Sequence, residues 1–419
     1  MKGPAEENGA VLKSMAARYP RPDWVRRINA MGDSVGGAER MVSLEVEPLV
    51  ALAKKSTGLS DFGDFDGDWR GRLDSLVAEI EGGANLNVVG RLLTRQEILR
   101  SLRTRLFITR RLDEQPKILD EKIVAPIIVT GQGRSGTTIL FELLSLDPKA
   151  RSISATDAAH PIPQTQDPAA LIAMTECEQE LWSDIQPEFA TIHELRSDLP
   201  VECIHATMPS FASFMWWMFA DVPGWNVDFV AMMQFHKVFL QLMQYGKPEA
   251  TWILKTPIYL PILDLVFGTY PDASILLTHR DPLKTIPSGL STLASCRWHR
   301  SDVVDLERVR AGGTGIFDLM VHVRQRREKG ELPAQFVDLH FTDQMRDPVA
   351  AIEGAYRQIG RPFASDHASR IRDYLAHKPK NKYGKHRYEP EDWGYTKAEI
   401  RERTRPYIEA FGVALEDGD

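Results

Sequence analysis

Cysteine is scarce. The 419 residues hold only Cys177, Cys203 and Cys296, far apart and without a C-x-x-C spacing. Such a set argues against a disulfide framework or a thiolate zinc site and fits a reducing compartment. Long apolar runs are missing too. Nothing approaches the roughly 20 apolar residues that span a bilayer. The opening MKGPAEENGAVLKSMAARYP lacks the apolar stretch of a signal peptide. The chain therefore reads as cytoplasmic, with a loose peripheral membrane contact left open. A basic excess is also absent: 58 acidic residues against 51 basic ones give a net charge of −7. That argues against nucleic-acid binding through bulk charge but permits a local basic pocket. There is no internal repeat and no low-complexity tract. What remains, 43% hydrophobic and 26% charged, is an ordinary globular balance, long enough for one large domain with additions or for two.

Residues 1–118 read as helical and contain no good strand. TRQEILRSLRTRLFITRRL opens on an apparent capping box, Thr94 to Glu97. Ile98, Leu99, Leu102, Leu106 and Leu112 recur at helical spacing, which assigns the intervening arginines to a solvated face. From Lys122 the pattern changes. KIVAPIIVTG, RSIS (151–154), TWILK (251–255), SILLTH (274–279) and QFVDLHF (335–341) read as strands. Helical patterns at 138–146, 169–184, 228–245, 282–294, 316–328 and 348–359 separate them. Strands alternating with helices predict an α/β fold. Its central parallel sheet of about five strands is flanked by helices and preceded by the helical region. Residues 119–419 then form one α/β domain. Such sheets bind ligands at the carboxyl ends of their strands, which is where Gly131, Lys255 and Arg280 fall. A second capping box, Thr396 to Glu399, predicts a final helix after a basic, aromatic loop from about 381.

PIIVTGQGRSGTTILFELL reads strand, glycine-rich turn, helix. It nearly fits the nucleotide pattern G-x-x-x-x-G-K-S/T, but Thr137 stands where the lysine belongs. The backbone part survives: Gly131, Gly133 and Gly136 permit a tight turn and a close anion. Ser135, Thr137 and Thr138 add hydroxyls near a helix start whose free N–H groups favour negative charge. The cation has moved to Arg134. A nucleoside triphosphate needs a lysine and a metal for transfer. No acidic strand end suits magnesium, since Asp281 reads as the cap of the next helix. A less charged group such as a phosphosulfate fits better, and no metal is expected.

SILLTHRDPLKTIPSGL repeats the strand, turn and helix. Asp281 and Pro282 make a strong helix start. Arg280 lies at the strand end and Ser288 about two turns on, where both can share one phosphate. Pro287 should kink that helix.

Together, GQGRSGTT and HRDPLKTIPS resemble the cofactor motifs of the sulfotransferases that use 3′-phosphoadenosine 5′-phosphosulfate (PAPS). WILKTP, FVDLHFTDQMRDP and GKHRYEPEDWG resemble segments of a bacterial branch of that family. The likeness covers roughly residues 120–412. The resemblance implies metal-independent transfer of a sulfuryl group to a hydroxyl or amine. Gly133, Arg134, Ser135, Gly136, Thr137 and Thr138 would hold the 5′-phosphosulfate. Arg280 and Ser288 would hold the 3′-phosphate. Lys385, with Arg387 as a second candidate, would close over the cofactor, and Lys255 would stabilise charge on the leaving phosphate. For the general base, Asp157 stands where related bacterial sequences tend to have glutamate. His160 and Glu202 follow, then His193.

Between Met208 and Trp225 nine aromatic and methionine side chains crowd together, more than one amphipathic stripe needs. Most of these are expected to be ordinary core, and part of the segment to line a pocket for a small, partly apolar acceptor, aromatic or lipid-like. Two rivals stand beside this reading. A kinase-like phosphotransferase would need a lysine at 137 and a magnesium acid. A non-catalytic nucleotide-binding protein would need no second anion site.

Overall fold

The computed structural model describes residues 15–311, 313–378 and 388–416. Five strands, β1 (Ile127–Gly131), β2 (Ala150–Arg151), β3 (Thr251–Lys255), β4 (Ser274–His279) and β5 (Phe336–His340), form one sheet in the order β2-β3-β1-β4-β5. All four pairings are parallel. The strands are apolar on both faces because both are covered. Ile127, Val129, Ile253 and Leu276 face one core; Ile128, Leu254, Ile275 and Leu277 face the other. The alternation follows the two-residue pleat.

The register fixes the site. Val129 lies level with Lys255, and Gly131 with Thr278. The ends of β1, β3 and β4 therefore open on one edge. β1 sits at the centre, with the chain continuing to either side, the arrangement that leaves a crevice at the strand ends.

Before the sheet come α1 (Asp23–Ser34), α2 (Val46–Thr57), α3 (Trp69–Gly83) and the long α4 (Val88–Glu114); among the described residues no strand precedes Ile127. Helix α4 does not begin at Thr94. Asn87 caps it through a bond from Gly90 N at 2.8 Å. The residues read as a capping box serve a long-range contact instead: Thr94 Oγ1 and the Glu97 carboxylate receive the Arg300 guanidinium at 2.7–3.1 Å. Nor is the arginine face wholly solvated. Arg105 is fully buried and forks onto Asp66, both bonds 2.8 Å. A buried guanidinium needs such a partner, and the partner was unreadable from local spacing.

After β1 comes α5 (Thr137–Leu144), and β2 is followed by α6 (Ala155–Ala159) and α7 (Pro168–Ile185). The second strand is shorter than RSIS suggested because Ser154 already caps α6. Next are α8 (Cys203–Ala206), α9 (Phe214–Phe219) and α10 (Phe229–Gln244), then α11 (Pro282–Trp298) after β4. Helix α11 runs through Pro287. Beyond it lie α12 (Gly315–Glu328), α13 (Pro348–Gln358) and α14 (Lys397–Phe411). The Thr396–Glu399 capping box is formed at the start of α14.

The aromatic segment after α8 is core. Met208, Phe211, Met215, Trp216, Phe219 and Trp225 pack with Ile98, Leu102 and Leu106 of α4 and with Leu73 and Leu76 of α3. Its density reflects a seam between the N-terminal helices and the sheet-bearing part. No helix among the described residues is long and apolar enough to cross a membrane.

Candidate active site

The loop between β1 and α5 is shaped by its glycines. Gly131 has φ +134° and Gly136 φ +87°. A Cβ on the first would stand 2.7 Å from Thr278 Oγ1, and on the second 2.7 Å from the Phe341 ring. Arg134 adopts φ 69°, a left-handed conformation that costs a non-glycine residue about 1 kcal/mol or more. Two bonds hold it there: Nε donates to Ser288 Oγ at 3.0 Å and Nη1 to Ile192 O at 3.1 Å. Ser135 is buried and turns inward, bonding Gln132 O at 2.7 Å and Thr278 Oγ1 at 2.6 Å. It stiffens the loop. No side chain caps the start of α5, so its first N–H groups and the positive end of its dipole are offered to an anion. Thr137 and Thr138 stand on that first turn, and a Cβ on Gly133 would meet nothing within 4 Å.

At the end of β4, Asp281 caps α11 by accepting from Leu283 N at 2.9 Å. Burial disfavours its charge, but the Arg401 fork at 2.6 and 2.7 Å and the backbone N–H of Glu416 outweigh it and hold the carboxyl below the usual range. Next to it Arg280 lies 3.8 Å above the Phe341 ring. Its Nε and Nη2 donate to the two oxygens of Glu416, at 2.9 and 3.0 Å. Arg134 holds Ser288, and Glu416 fills the Arg280 fork.

The end of β3 supplies Lys255, buried to 3% exposure. Its ammonium donates to Glu202 and, at 3.4 Å, to Thr138 Oγ1. Thr256 Oγ1 donates to the other Glu202 oxygen at 3.3 Å. Burial raises the Glu202 pKa, and Lys255 more than reverses this, leaving it below the ordinary value. Glu202 therefore carries its charge at neutral pH. His193 and His205 lie within the field of this pair. Burial first, then Lys255, lowers the His193 pKa. Burial takes His205 down to about 4. Both imidazoles are neutral near pH 7. The Nδ1 of His193 lies 2.9 Å from Glu194 O, a geometry that assigns the proton to Nδ1 and leaves Nε2 basic.

The expected residues divide accordingly. Arg134, Thr138, Lys255, Glu202 and His193 converge. Asp157 is engaged in the capping box of α6, where its Oδ2 accepts from Ser154 N at 3.1 Å and Oγ at 2.8 Å. His160 turns toward Glu178 of α7, at 3.7 Å. Lys385 and Arg387 lie outside the described residues. Three residues went unread in the sequence. Gln132 ties the two strand ends together, donating to Arg280 O at 2.6 Å and accepting from Thr285 Oγ1 at 3.1 Å. Phe341 supports both Arg280 and Gly136. Glu416 completes the set. Only Gln132 carried a local signal, its place inside the glycine loop.

A family model described as "Sulfotransferase family" matches residues 126–365. The chain belongs to the sulfotransferase family. The matched stretch holds all three strand ends of the crevice, and the protein is accordingly a transferase that draws on a sulfuryl donor. Omega-hydroxy-beta-dihydromenaquinone-9 sulfotransferase Stf3 of Mycobacterium bovis is 22% identical over 272 residues, 61% of this chain and 68% of the relative. The protein of the same name from Mycobacterium tuberculosis matches equally. Sulfotransferase STF9 from Mycobacterium avium shares the fold at TM-score 0.74 and 24% identity, over 88% of this chain and 97% of the other. STF1 from M. tuberculosis H37Rv does so at TM-score 0.67 and 24% identity, over 86% and 98%. Family membership removes the kinase-like and non-catalytic rivals.

Proposed function

We propose that this sulfotransferase moves a sulfuryl group from 3′-phosphoadenosine 5′-phosphosulfate to the hydroxyl, or amine, of a small and partly apolar acceptor. One observation carries the choice of donor. An uncapped helix start and an arginine fork share one crevice, and that fork already grips a carboxylate through two bonds. An arginine binds phosphate oxygens in the same two-bond manner. The residues fit the donor. Backbone N–H groups of 133–138 with the Thr137 and Thr138 hydroxyls would hold the 5′-phosphosulfate. Arg280 would hold the 3′-phosphate after Glu416 leaves, joined by Ser288 once Arg134 lets it go. Lys385 and Arg387 would close over the donor, as the resemblance implies. No metal enters this reading.

When bound, the donor supplies a sulfur atom whose leaving group is a stabilised phosphate. The chain's task is to position groups and balance charge. Glu202, rather than Asp157 or His160, is the general base in this reading. It is ionised, and it shares Lys255 with the Thr138 hydroxyl of the donor loop. Glu202 takes the acceptor proton as the new S–O bond forms and the bond from sulfur to the bridging phosphate oxygen breaks. Lys255 then offsets the charge that gathers on the departing phosphate. His193, neutral and beside the pair, keeps the pocket from gaining a second positive charge. The acceptor named for the mycobacterial relatives supports an aromatic or lipid-like body. Residues 119–419 would be the transferase unit and 1–118 a helical addition. A cytoplasmic setting, without nucleic-acid partners, is supported by the composition.

Thermal denaturation tests the donor directly. A ligand that binds only the folded state raises its stability by mass action, about 2.7 kcal/mol at a hundredfold excess over Kd. The product 3′-phosphoadenosine 5′-phosphate should raise Tm in the presence of a metal chelator, and magnesium ATP should not. Stabilisation by magnesium ATP alone would overturn the assignment.

A further inference from the structure

A cavity of about 190 Å³ lies between α4, α7 and the 159–165 turn. Leu99, Phe107, Ile162, Leu171 and Met174 supply its apolar wall. Its polar end is made by Arg100, Arg103, His160 and Glu178. Arg100 spends its charge on Glu178, at 2.5 Å. Another nitrogen at that end, Arg103 Nε, is buried without a hydrogen-bond partner, while His160 Nε2 faces Glu178 at 3.7 Å. Buried donors are rarely left so, which marks the polar end as built for an oxygen from outside the chain. A cavity of about 150 Å³ accepts benzene, so this one takes a single substituted ring or a chain of similar bulk.

The cavity is linked to the transfer centre through α6. His160 follows α6 directly, and α6 is tied to the strand-like segment that leads to Glu202. Thr156 N donates to Ser197 O at 3.1 Å, Ala155 N to Leu199 O at 3.0 Å, and Ser154 bridges Pro200. His205, one turn after Glu202, lies within the field of Glu202, of Lys255 and of Arg100. Arg100 lines the cavity and also contributes to the field at His205, three residues after Glu202.

We propose that this cavity receives the body of the sulfuryl acceptor: an alcohol or phenol with one apolar ring, carrying a carboxylate or carbonyl oxygen that accepts from Arg103 Nε. The inference rests on the transferase reading given above but concerns the acceptor alone. The charge balance supports it. Two arginines face one glutamate at the polar end, so an anionic group would find an excess of one positive charge there. A longer acceptor would seat its ring here and leave the remainder outside.

The test uses the full chain saturated with 3′-phosphoadenosine 5′-phosphate. Two probes are titrated by calorimetry, 3-(4-hydroxyphenyl)propanoate and the uncharged 4-propylphenol. Wild type should bind the carboxylate about tenfold more tightly or better, the worth of a hydrogen bond to a charged group. Leu171→Trp should fill the cavity and weaken both probes by about tenfold. Arg103→Met should erase the preference for the carboxylate and leave 4-propylphenol unchanged. The nucleotide should bind all three proteins alike. Failure of wild type to bind either probe while it binds the nucleotide would sink the acceptor site and leave the donor assignment standing. So would equal affinities in Leu171→Trp, or a carboxylate preference that survives Arg103→Met. If the nucleotide fails to bind while the probes follow the expected pattern, the donor assignment is the one that falls.

Discussion

Glu202 and Lys255 neutralise one another in a largely buried place. Lys255 is almost wholly buried, and the partner it loses in Glu202→Gln would leave an uncompensated ammonium. Removing one side of a buried pair costs about 3–5 kcal/mol; the partial exposure of Glu202 places this case at or below the lower end. The same substitution removes the proposed base. General bases contribute about 10²–10⁴-fold, so kcat of the folded fraction should fall by at least 10². Activity corrected for the folded fraction, with Tm measured beside it, separates the two effects. A variant with near-normal kcat would move the base to His193. This pair was only half legible in the sequence. Lys255 announced itself at a strand end after TWIL. Glu202 did not stand out from Asp157, although the Ser154-x-x-Asp157 spacing is itself that of a capping box and pointed to a helix-capping role for Asp157.

At the scale of elements, the strands and most helices could be read because each is apolar with a clear period. β3 and β4 match their expected bounds, and β1 and β5 fall within theirs, since buried parallel strands need uninterrupted apolar runs. What could not be read depended on distant partners. The start of α4 is one case: Gly90 there lies against Arg300, and an added Cβ would stand 2.0 Å from Arg300 O. The crowded aromatics of 208–225 are another. Their packing against α3 and α4 depends on helices far away in the chain. The segment after α14 is a third. It lays Glu416 across the Arg280 fork and gives its backbone N–H to Asp281 at 2.6 Å. An anion that binds Arg280 must first displace that carboxylate. Glu416→Gln keeps the backbone bond but removes the charge. It should tighten 3′-phosphoadenosine 5′-phosphate by a few-fold up to about tenfold, read by titration calorimetry. An unchanged or weakened affinity would show that Glu416 supports Arg280 and does not compete for it.

Across the whole molecule, one core continues through residue 118. Met15, Ile108 and Leu112 share a cluster with β-strand residues Ile128 and Leu254, so the helical region and the sheet are stabilised together. The composition change at that point marked a change of architecture but said nothing of this shared packing. The molecule also buries neutral histidines. Burial lowers His205 to about 4 and His236 to about 3, and drives His299 well below its ordinary value. The unfolded chain binds protons at these sites near pH 6.5, whereas the folded chain does not. Stability is therefore complete above about pH 6.5 and falls as pH drops toward 4, by about 1.4 kcal/mol per pH unit for each histidine. Asp281 and Glu202, whose pKa values are lowered, add a second loss once pH falls below about 4, the usual carboxylate range. Urea unfolding at pH 7.5, 6.5, 5.5 and 4.5 should show a plateau and then a decline. A constant unfolding free energy from 7.5 to 5 would contradict this.

The central claim is that two strand ends divide the donor between them, phosphosulfate on the β1 loop and 3′-phosphate on Arg280. The most direct measurement is a pair of metal-free affinities, for 3′-phosphoadenosine 5′-phosphate and for adenosine 5′-phosphate, in wild type and Arg280→Ala. The substitution should weaken the bisphosphate by about 1.5–3 kcal/mol, the worth of hydrogen bonds to a charged group, and barely change the monophosphate. Equal losses for both nucleotides, or no loss for either, would contradict it.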